Sequence, residues 1–126
     1  MEKLFIIEDN PYYLELIVFA LKKEEYVIEV FEDAGEALNN FYPNPEIVLL
    51  DYHLEGNING LECLKSIKSI NPDVCVIFLS GQDDIKVATD ALKYGAFDYI
   101  VKSDRSFSEI KDAIRRFNRL KSEIQK

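Results

Sequence analysis

The sequence predicts an α/β fold of the doubly wound kind, a single (βα)5 domain over residues 1–126. Four short runs are apolar nearly throughout, as strands buried on both faces of a parallel sheet must be. Helical patterns lie between them, so strand and helix alternate five times. Caps and breakers fall at the joints. In chain order, Leu4 to Ile7 is the first buried strand. Asn10-Pro11 then reads as an N-cap followed by proline in the first helical turn, and Leu14, Ile17, Val18 and Leu21 make that helix's apolar stripe. Tyr26 to Phe31 alternates apolar with acidic residues and reads as an edge strand. Ala37, Leu38 and Phe41 form a short second stripe, and Pro43 and Pro45 separate it from the third strand, Ile47 to Leu50. Leu61, Leu64, Ile67 and Ile70 form the third helix, and Pro72 divides it from the strand Val74 to Leu79. Val87, Ala88, Ala91 and Leu92 form the fourth helix, with Gly95 as its C-terminal stop. Tyr99 to Val101 is the last strand. Ser106-Phe107-Ser108-Glu109 has capping-box spacing and opens a long helix through Phe107, Ile110, Ala113, Ile114, Phe117, Leu120 and Ile124.

A chain of 126 residues, 48% of them hydrophobic, buries roughly two-thirds of its unfolded surface without disulfides or metal staples. Its 15 basic and 23 acidic residues leave a net charge of -8. Such a surface repels phosphate backbones and anionic lipid, so neither direct nucleic-acid nor membrane binding is expected. No apolar run approaches the roughly 20 residues of a membrane span, and no apolar signal segment follows Met1. Cys63 and Cys75 make no disulfide framework. Both are expected to be reduced, which suits a cytoplasmic location.

In an open parallel sheet, ligands bind outside the carboxyl ends of the strands. Strand one delivers Glu8 and Asp9 there, strand three Asp51, strand four Ser80 and Gly81, and strand five Lys102. Three carboxylates at one rim repel one another unless positive charge sits among them. Lys102 supplies one such charge, and a divalent cation is the natural second. All-oxygen ligation suits a hard ion, Mg²⁺ (or Mn²⁺), which keeps several coordination positions for water or phosphoryl oxygens. A carboxylate nucleophile, a metal, a hydroxyl and a lysine are the parts that phosphoryl transfer to an aspartate needs. Each residue alone has a plainer reading, as a solvated turn, a helix cap or a surface lysine. Their joint arrival at one rim favours the site.

Ile6-Ile7-Glu8-Asp9-Asn10, Val48-Leu49-Leu50-Asp51-Tyr52-His53-Leu54, Gly60-Leu61-Glu62, Phe78-Leu79-Ser80-Gly81 and Gly95-Ala96-Phe97-Asp98-Tyr99-Ile100-Val101-Lys102 occur in order along nearly the whole chain. With them the sequence resembles the receiver domain of response regulators, the CheY-like module of two-component signalling. The resemblance implies a flavodoxin-like sheet of order 2-1-3-4-5. It implies Asp51 as phosphoacceptor, with Glu8, Asp9, Asp51 and the backbone carbonyl of His53 as Mg²⁺ ligands. Ser80 matches the hydroxyl that reaches the phosphoryl group, Lys102 the lysine that neutralises it, and Tyr99 the switch aromatic. The side chains of His53 and Gln82 stand at positions that modulate phosphoryl lifetime. The implied partners are a histidine kinase or histidine phosphotransfer protein upstream and an output domain or protein downstream, with a phosphorylation-linked homodimer as a further option. The module is not an enzyme in the ordinary sense; it assists its own Mg-dependent phosphorylation and dephosphorylation.

Two departures from the commonest receiver pattern stand out. Glu55-Gly56-Asn57-Ile58-Asn59 lacks the usual proline and is one residue longer before Gly60. Lys102 is followed by Ser103 where the family usually has a cis-proline. A cis bond before a non-proline costs about 3 kcal/mol, but the family's backbone path tilts the expectation towards cis. Three other functions compete. A phosphorylation-independent pseudo-receiver, acting as an interaction module, would not need Glu8, Asp9, Asp51, Ser80 and Lys102 intact. A flavin- or substrate-binding enzyme would carry Gly, Ser or Thr in its first loop, where this chain has the acidic Glu8-Asp9-Asn10-Pro11. An aspartate-nucleophile phosphatase would want a second Asp where His53 stands. Tyr12, Tyr13 and Tyr94 read as amphipathic packing residues. The apolar period of the last helix, which runs to Ile124, suits either a receiver within a larger regulator or a complete single-domain protein.

Overall fold

A computed structural model describes residues 2–81 and 84–124. The elements run β1 (Glu2–Ile7), α1 (Pro11–Leu21), β2 (Tyr26–Phe31), α2 (Ala34–Asn39), β3 (Ile47–Asp51), α3 (Gly60–Ile70), β4 (Cys75–Ser80), α4 (Ile85–Lys93), β5 (Asp98–Val101) and α5 (Ser106–Ile124). All strand pairings are parallel, in the order β2-β1-β3-β4-β5. Of the four strands without alternation, β1, β3 and β4 are central, and the alternating Tyr26–Phe31 lies at an edge, as its pattern requires. The fourth, β5, expected to be buried on both faces, is instead the other edge, with Asp98, Tyr99 and Val101 only partly buried.

Successive residues of each strand feed opposite faces. Leu4, Ile6, Ile47, Leu49, Ile77 and Leu79 pack under α1 and α5, against Ile17, Leu21, Ile110, Ala113 and Ile114. Phe5, Ile7, Val48, Leu50, Val76 and Phe78 pack under α2, α3 and α4, against Ala37, Leu64, Ile67 and Ala91. The core residues of β1, β3 and β4 have essentially no exposure, which makes the sheet a rigid plate for whatever its ends carry. Cys63 and Cys75 are free and lie in opposite layers.

Local signals account for several element ends. The Asn10 side chain accepts from the N–H groups of Tyr12 and Tyr13 at 3.0 and 3.2 Å, with Pro11 opening α1. Gly95 closes α4 at φ +103°, a conformation a side chain would strain. Asp33 caps α2, and Asn59 and Glu62 form a full capping box at α3. The capping box expected from Ser106 to Glu109 does not form. Ser106 is completely buried, and its hydroxyl donates to the Ser103 carbonyl at 2.7 Å and meets the Tyr13 hydroxyl at 2.6 Å. Ser106 is already the first residue of α5, with the Glu109 N–H bonded to the Arg105 carbonyl at 3.0 Å, so it stands inside the helix and its hydroxyl turns inward instead of capping. The leaning towards a cis Lys102–Ser103 bond is also corrected: among the described residues the one cis peptide is Tyr42–Pro43. The trans bond avoids the roughly 3 kcal/mol penalty of a non-prolyl cis amide, and the Lys102 N–H still bonds the Ser80 carbonyl at 2.7 Å. Leu120 and Ile124 continue the α5 stripe but are 47% and 83% exposed, outside the α1–α5 core layer.

Candidate functional site

Parallel strands end together, so the residues following β1, β3, β4 and β5 share one edge. Glu8 follows β1, and its N–H is held by the Phe31 carbonyl of β2 at 3.0 Å. Asp51 ends β3, opposite Leu79 of β4, and Ser80 pairs with Val101 one residue before Lys102. The sheet register thus brings Glu8, Asp51, Ser80 and Lys102 to one place, with Asp9 at its mouth. Glu8 and Ser80 are fully buried and Asp51 is 2% exposed.

Lys102 Nζ lies 2.5 Å from Glu8 Oε1 and 3.5 Å from Asp51 Oδ1. Glu8 Oε2 accepts from the Asn10 N–H at 3.1 Å, and Asp51 Oδ1 from the His53 N–H at 3.1 Å. Glu8 Oε1 has the lysine charge beside it but no donor in hydrogen-bonding geometry. Burial, then the neighbouring Asp51, push the Glu8 carboxyl up to about 7, against the pull of Lys102 and the Asn10 N–H. Burial alone would lower the Lys102 ammonium, but its short contact to Glu8 and the two carboxylate charges outweigh this and raise it.

One carboxylate oxygen from each of Glu8, Asp9 and Asp51 lies within 4.8 Å of the others. Three hard oxygen donors, one of them buried without a hydrogen-bond donor, fit a hard divalent cation such as Mg²⁺. No His or Cys side chain belongs to this cluster.

The loop after β3 wraps the site. Glu55 N–H donates to Asp9 Oδ2 at 3.2 Å, so the unusual 55–59 segment folds back on the acidic rim. Ile58 packs on the core. Gly60 starts α3 directly against β3's end: a Cβ there would lie 2.7 Å from the Asp51 carbonyl oxygen and 2.8 Å from Tyr52 Cα and carbonyl oxygen. Only glycine permits that approach. The His53 side chain is exposed and lies edge-on to Tyr52 at 4.9 Å. Tyr99 is half-buried beside Phe78 in the sheet and packs against the α2–α3–α4 layer. Gln82 lies outside the described residues.

Tyr13 reaches the site although its sequence position suggested packing. The Lys102 ammonium sits over its ring, 4.6 Å from the centroid. The capped start of α1 aims this ring, four residues beyond Asp9; the only hint in the sequence is an aromatic one turn past the acidic pair.

The response regulator receiver domain model matches residues 4–115. The nitrogen assimilation regulatory protein NtrX of Azorhizobium caulinodans is 36% identical over 101 residues, covering 79% of this chain and 22% of its own length. The luminescence regulatory protein LuxO of Vibrio campbellii is 32% identical over 100 residues, 77% of this chain and 21% of its own length. The chain thus spans about a fifth of the length of the curated relatives it matches. The crystal structure of a response regulator receiver domain protein from Clostridium thermocellum aligns with a TM-score of 0.87 at 28% identity, over 98% of this chain and 99% of that one. Among the described residues, no helix is long and apolar enough to cross a membrane.

Proposed function

Since the chain belongs to the response regulator receiver domain family of two-component signalling, we propose that it is a switch whose phosphoacceptor is Asp51. The observation that carries this reading is the meeting of Glu8, Asp9 and Asp51 with Lys102 at the carboxyl edge of the sheet. An Asp51 carboxylate oxygen attacks the phosphorus of a phosphohistidine on a histidine kinase or phosphotransfer protein. The O–P bond forms, the N–P bond breaks, and the imidazole leaves. The product is an acyl phosphate on Asp51.

Receiver domains bind a divalent metal; here Glu8, Asp9, Asp51 and the His53 carbonyl would hold Mg²⁺. Bound there, the ion supplies electrostatic stabilisation for the meeting of two anions. Lys102 carries the second positive charge and moves from Glu8 towards the new phosphoryl oxygens. The Ser80 hydroxyl donates to one of them and draws its loop inward. That inward movement opens space beside β5 into which the half-buried Tyr99 ring turns, changing the α4–β5–α5 face presented to an output domain or protein. His53 and Gln82, close in sequence to Asp51 and Ser80, tune how quickly water reaches the acyl phosphate.

Incubation with acetyl phosphate and Mg²⁺ should add one phosphoryl mass, stable in acid and labile in base. Label that persists in Asp51→Asn would move the site elsewhere, and label formed equally well without divalent metal would remove the ion from the reaction.

A further inference from the structure

Tyr13 lies outside the phosphoacceptor set, yet it is wired to Lys102 twice. The ammonium sits 4.6 Å from the Tyr13 ring centroid. The Tyr13 hydroxyl is 2.6 Å from Ser106 Oγ, and Ser106 Oγ donates its one proton to the Ser103 carbonyl at 2.7 Å. That leaves the tyrosine as donor of the first bond, so the chain runs Tyr13 O–H to Ser106 O–H to the carbonyl of Ser103, the residue after Lys102. Ser106 is completely buried, so no water competes for these bonds, and linked hydrogen bonds of this kind polarise one another. Phe107 flanks the ring at 5.4 Å. The ring therefore has one orientation, with its face towards the lysine. Lys102 needs such a guide: its carboxylate partners lie at 2.5 and 3.5 Å on one side, and a long, flexible ammonium drifts to whichever charge is nearest.

We propose that Tyr13 is a positioning residue for Lys102, its ring holding the ammonium in the site and its hydroxyl latched through Ser106 to the backbone just beyond that lysine. The proposal rests on Lys102 serving the phosphoryl group, as proposed above. It also means that movement of Lys102 towards phosphorylated Asp51 pulls on the first turn of α5 through Ser103 and Ser106, a route separate from Ser80 and Tyr99.

The test compares the parent chain with Tyr13→Leu, Tyr13→Phe and Ser106→Ala. It measures the rate of phosphorylation by acetyl phosphate in Mg²⁺ and the ¹H–¹³C resonance of Lys102 Cε, assigned by its loss in Lys102→Arg. The aromatic face should shift the parent's Lys102 protons upfield. Tyr13→Leu should abolish that shift and slow phosphorylation roughly threefold to thirtyfold, the range of a partly desolvated cation–π contact. Tyr13→Phe keeps the ring but loses the latch, as Ser106→Ala does, so both should fall between the parent and Tyr13→Leu in rate and in shift. A Tyr13→Leu chain that phosphorylates at the parent rate, or a Tyr13→Phe chain as slow as Tyr13→Leu, overturns the positioning role. If Tyr13→Leu does not fold, an unreduced Lys102 shift in Ser106→Ala overturns it instead. A parent chain that takes no label refutes the proposed function, whereas the Lys102 resonance of the unphosphorylated chain still decides the positioning.

Discussion

Gly60→Ala should destabilise the fold and slow Asp51 chemistry together. The added Cβ would lie 2.7 Å from the Asp51 carbonyl oxygen and 2.8 Å from two backbone atoms of Tyr52. Ordinary carbon contacts begin near about 3.5 Å, so α3 or the end of β3 must retreat by roughly 0.7 Å or more. The atoms met are backbone in a packed loop, and no side-chain rotation relieves them. Overpacking of this kind costs about 1–3 kcal/mol, while reduced unfolded-state freedom returns about 0.4–1 kcal/mol. The net loss of about 1–2 kcal/mol lowers the melting midpoint by roughly 3–10 °C in a domain of this size. Misplacement of a reacting group by about 1 Å can cost on the order of a hundredfold in rate, so phosphorylation at Asp51 should fall by about tenfold or more. Gly81→Ala is the matched control, since nothing lies within 4 Å of a Cβ there. Thermal melts and acetyl phosphate labelling of both variants read the two effects. A Gly60→Ala chain that melts and labels like Gly81→Ala would refute the close approach as the reason for this glycine.

Three further outcomes follow from the rim. In metal-free protein the Glu8 carboxyl is raised from 4.5 to about 7, so the native state holds a proton that the unfolded state has lost. The stability this supplies is complete below pH 4.5 and is lost as pH rises through 7, on the order of 3 kcal/mol across the window; Glu8→Gln should flatten that part of the stability–pH curve in chemical denaturation, and an unchanged slope would contradict it. Asp9→Asn should weaken Mg²⁺ binding at least tenfold in a calorimetric titration, while parent-like binding by both Asp9→Asn and Asp51→Asn would place the ion elsewhere. Ser80→Ala should still take label on Asp51 but lose most of the NMR shift at Tyr99 and α4; a phosphorylated spectrum matching the phosphorylated parent would sink the Ser80 route.

Features set by neighbours in sequence were legible, and features set by distant partners were not. The unbroken apolar runs marked β1, β3 and β4 because a strand covered on both faces has no polar position, but the same reading failed for Tyr99–Val101, an edge strand too short to show alternation. Asn10-Pro11 and Gly95 marked helix ends because capping is a bargain among adjacent residues. Ser106 broke the same rule. Its spacing to Glu109 is that of a capping box, but it stands inside the helix and its hydroxyl meets Tyr13, 93 residues away. The Asn59–Glu62 pair has the same spacing as Ser106–Glu109 and does form its box. At the site, strand ends alone brought Glu8, Asp9, Asp51, Ser80 and Lys102 to one rim. The 2-1-3-4-5 order needed the family resemblance, since alternation of strand and helix allows several orders. Tyr13 needed coordinates, because a tyrosine in an amphipathic helix looks the same whether it packs on a leucine or on a lysine.

The rim and the plate beneath it pull in opposite directions, and that opposition identifies the site. A buried Glu8 beside a buried Asp51, sharing one ammonium, is an arrangement that raises the free energy of the metal-free fold. Nothing in the packing of β1 or β3 requires an acid there; apolar side chains continuing Ile7 and Leu50 would satisfy the core better. Cost concentrated where the strands end, on a sheet whose interior is fully apolar, is expected where a fold gives up stability for chemistry. On the proposed function, a divalent cation and a phosphoryl group would change that balance in different ways. The cation would remove carboxylate repulsion, whereas phosphorylation would restore negative charge and draw Lys102 away from Glu8. The metal-bound and phosphorylated forms should therefore differ most in where Lys102 points, and both connections of that lysine, to the Tyr13 ring and through Ser103 to Ser106, lead to α1 and α5.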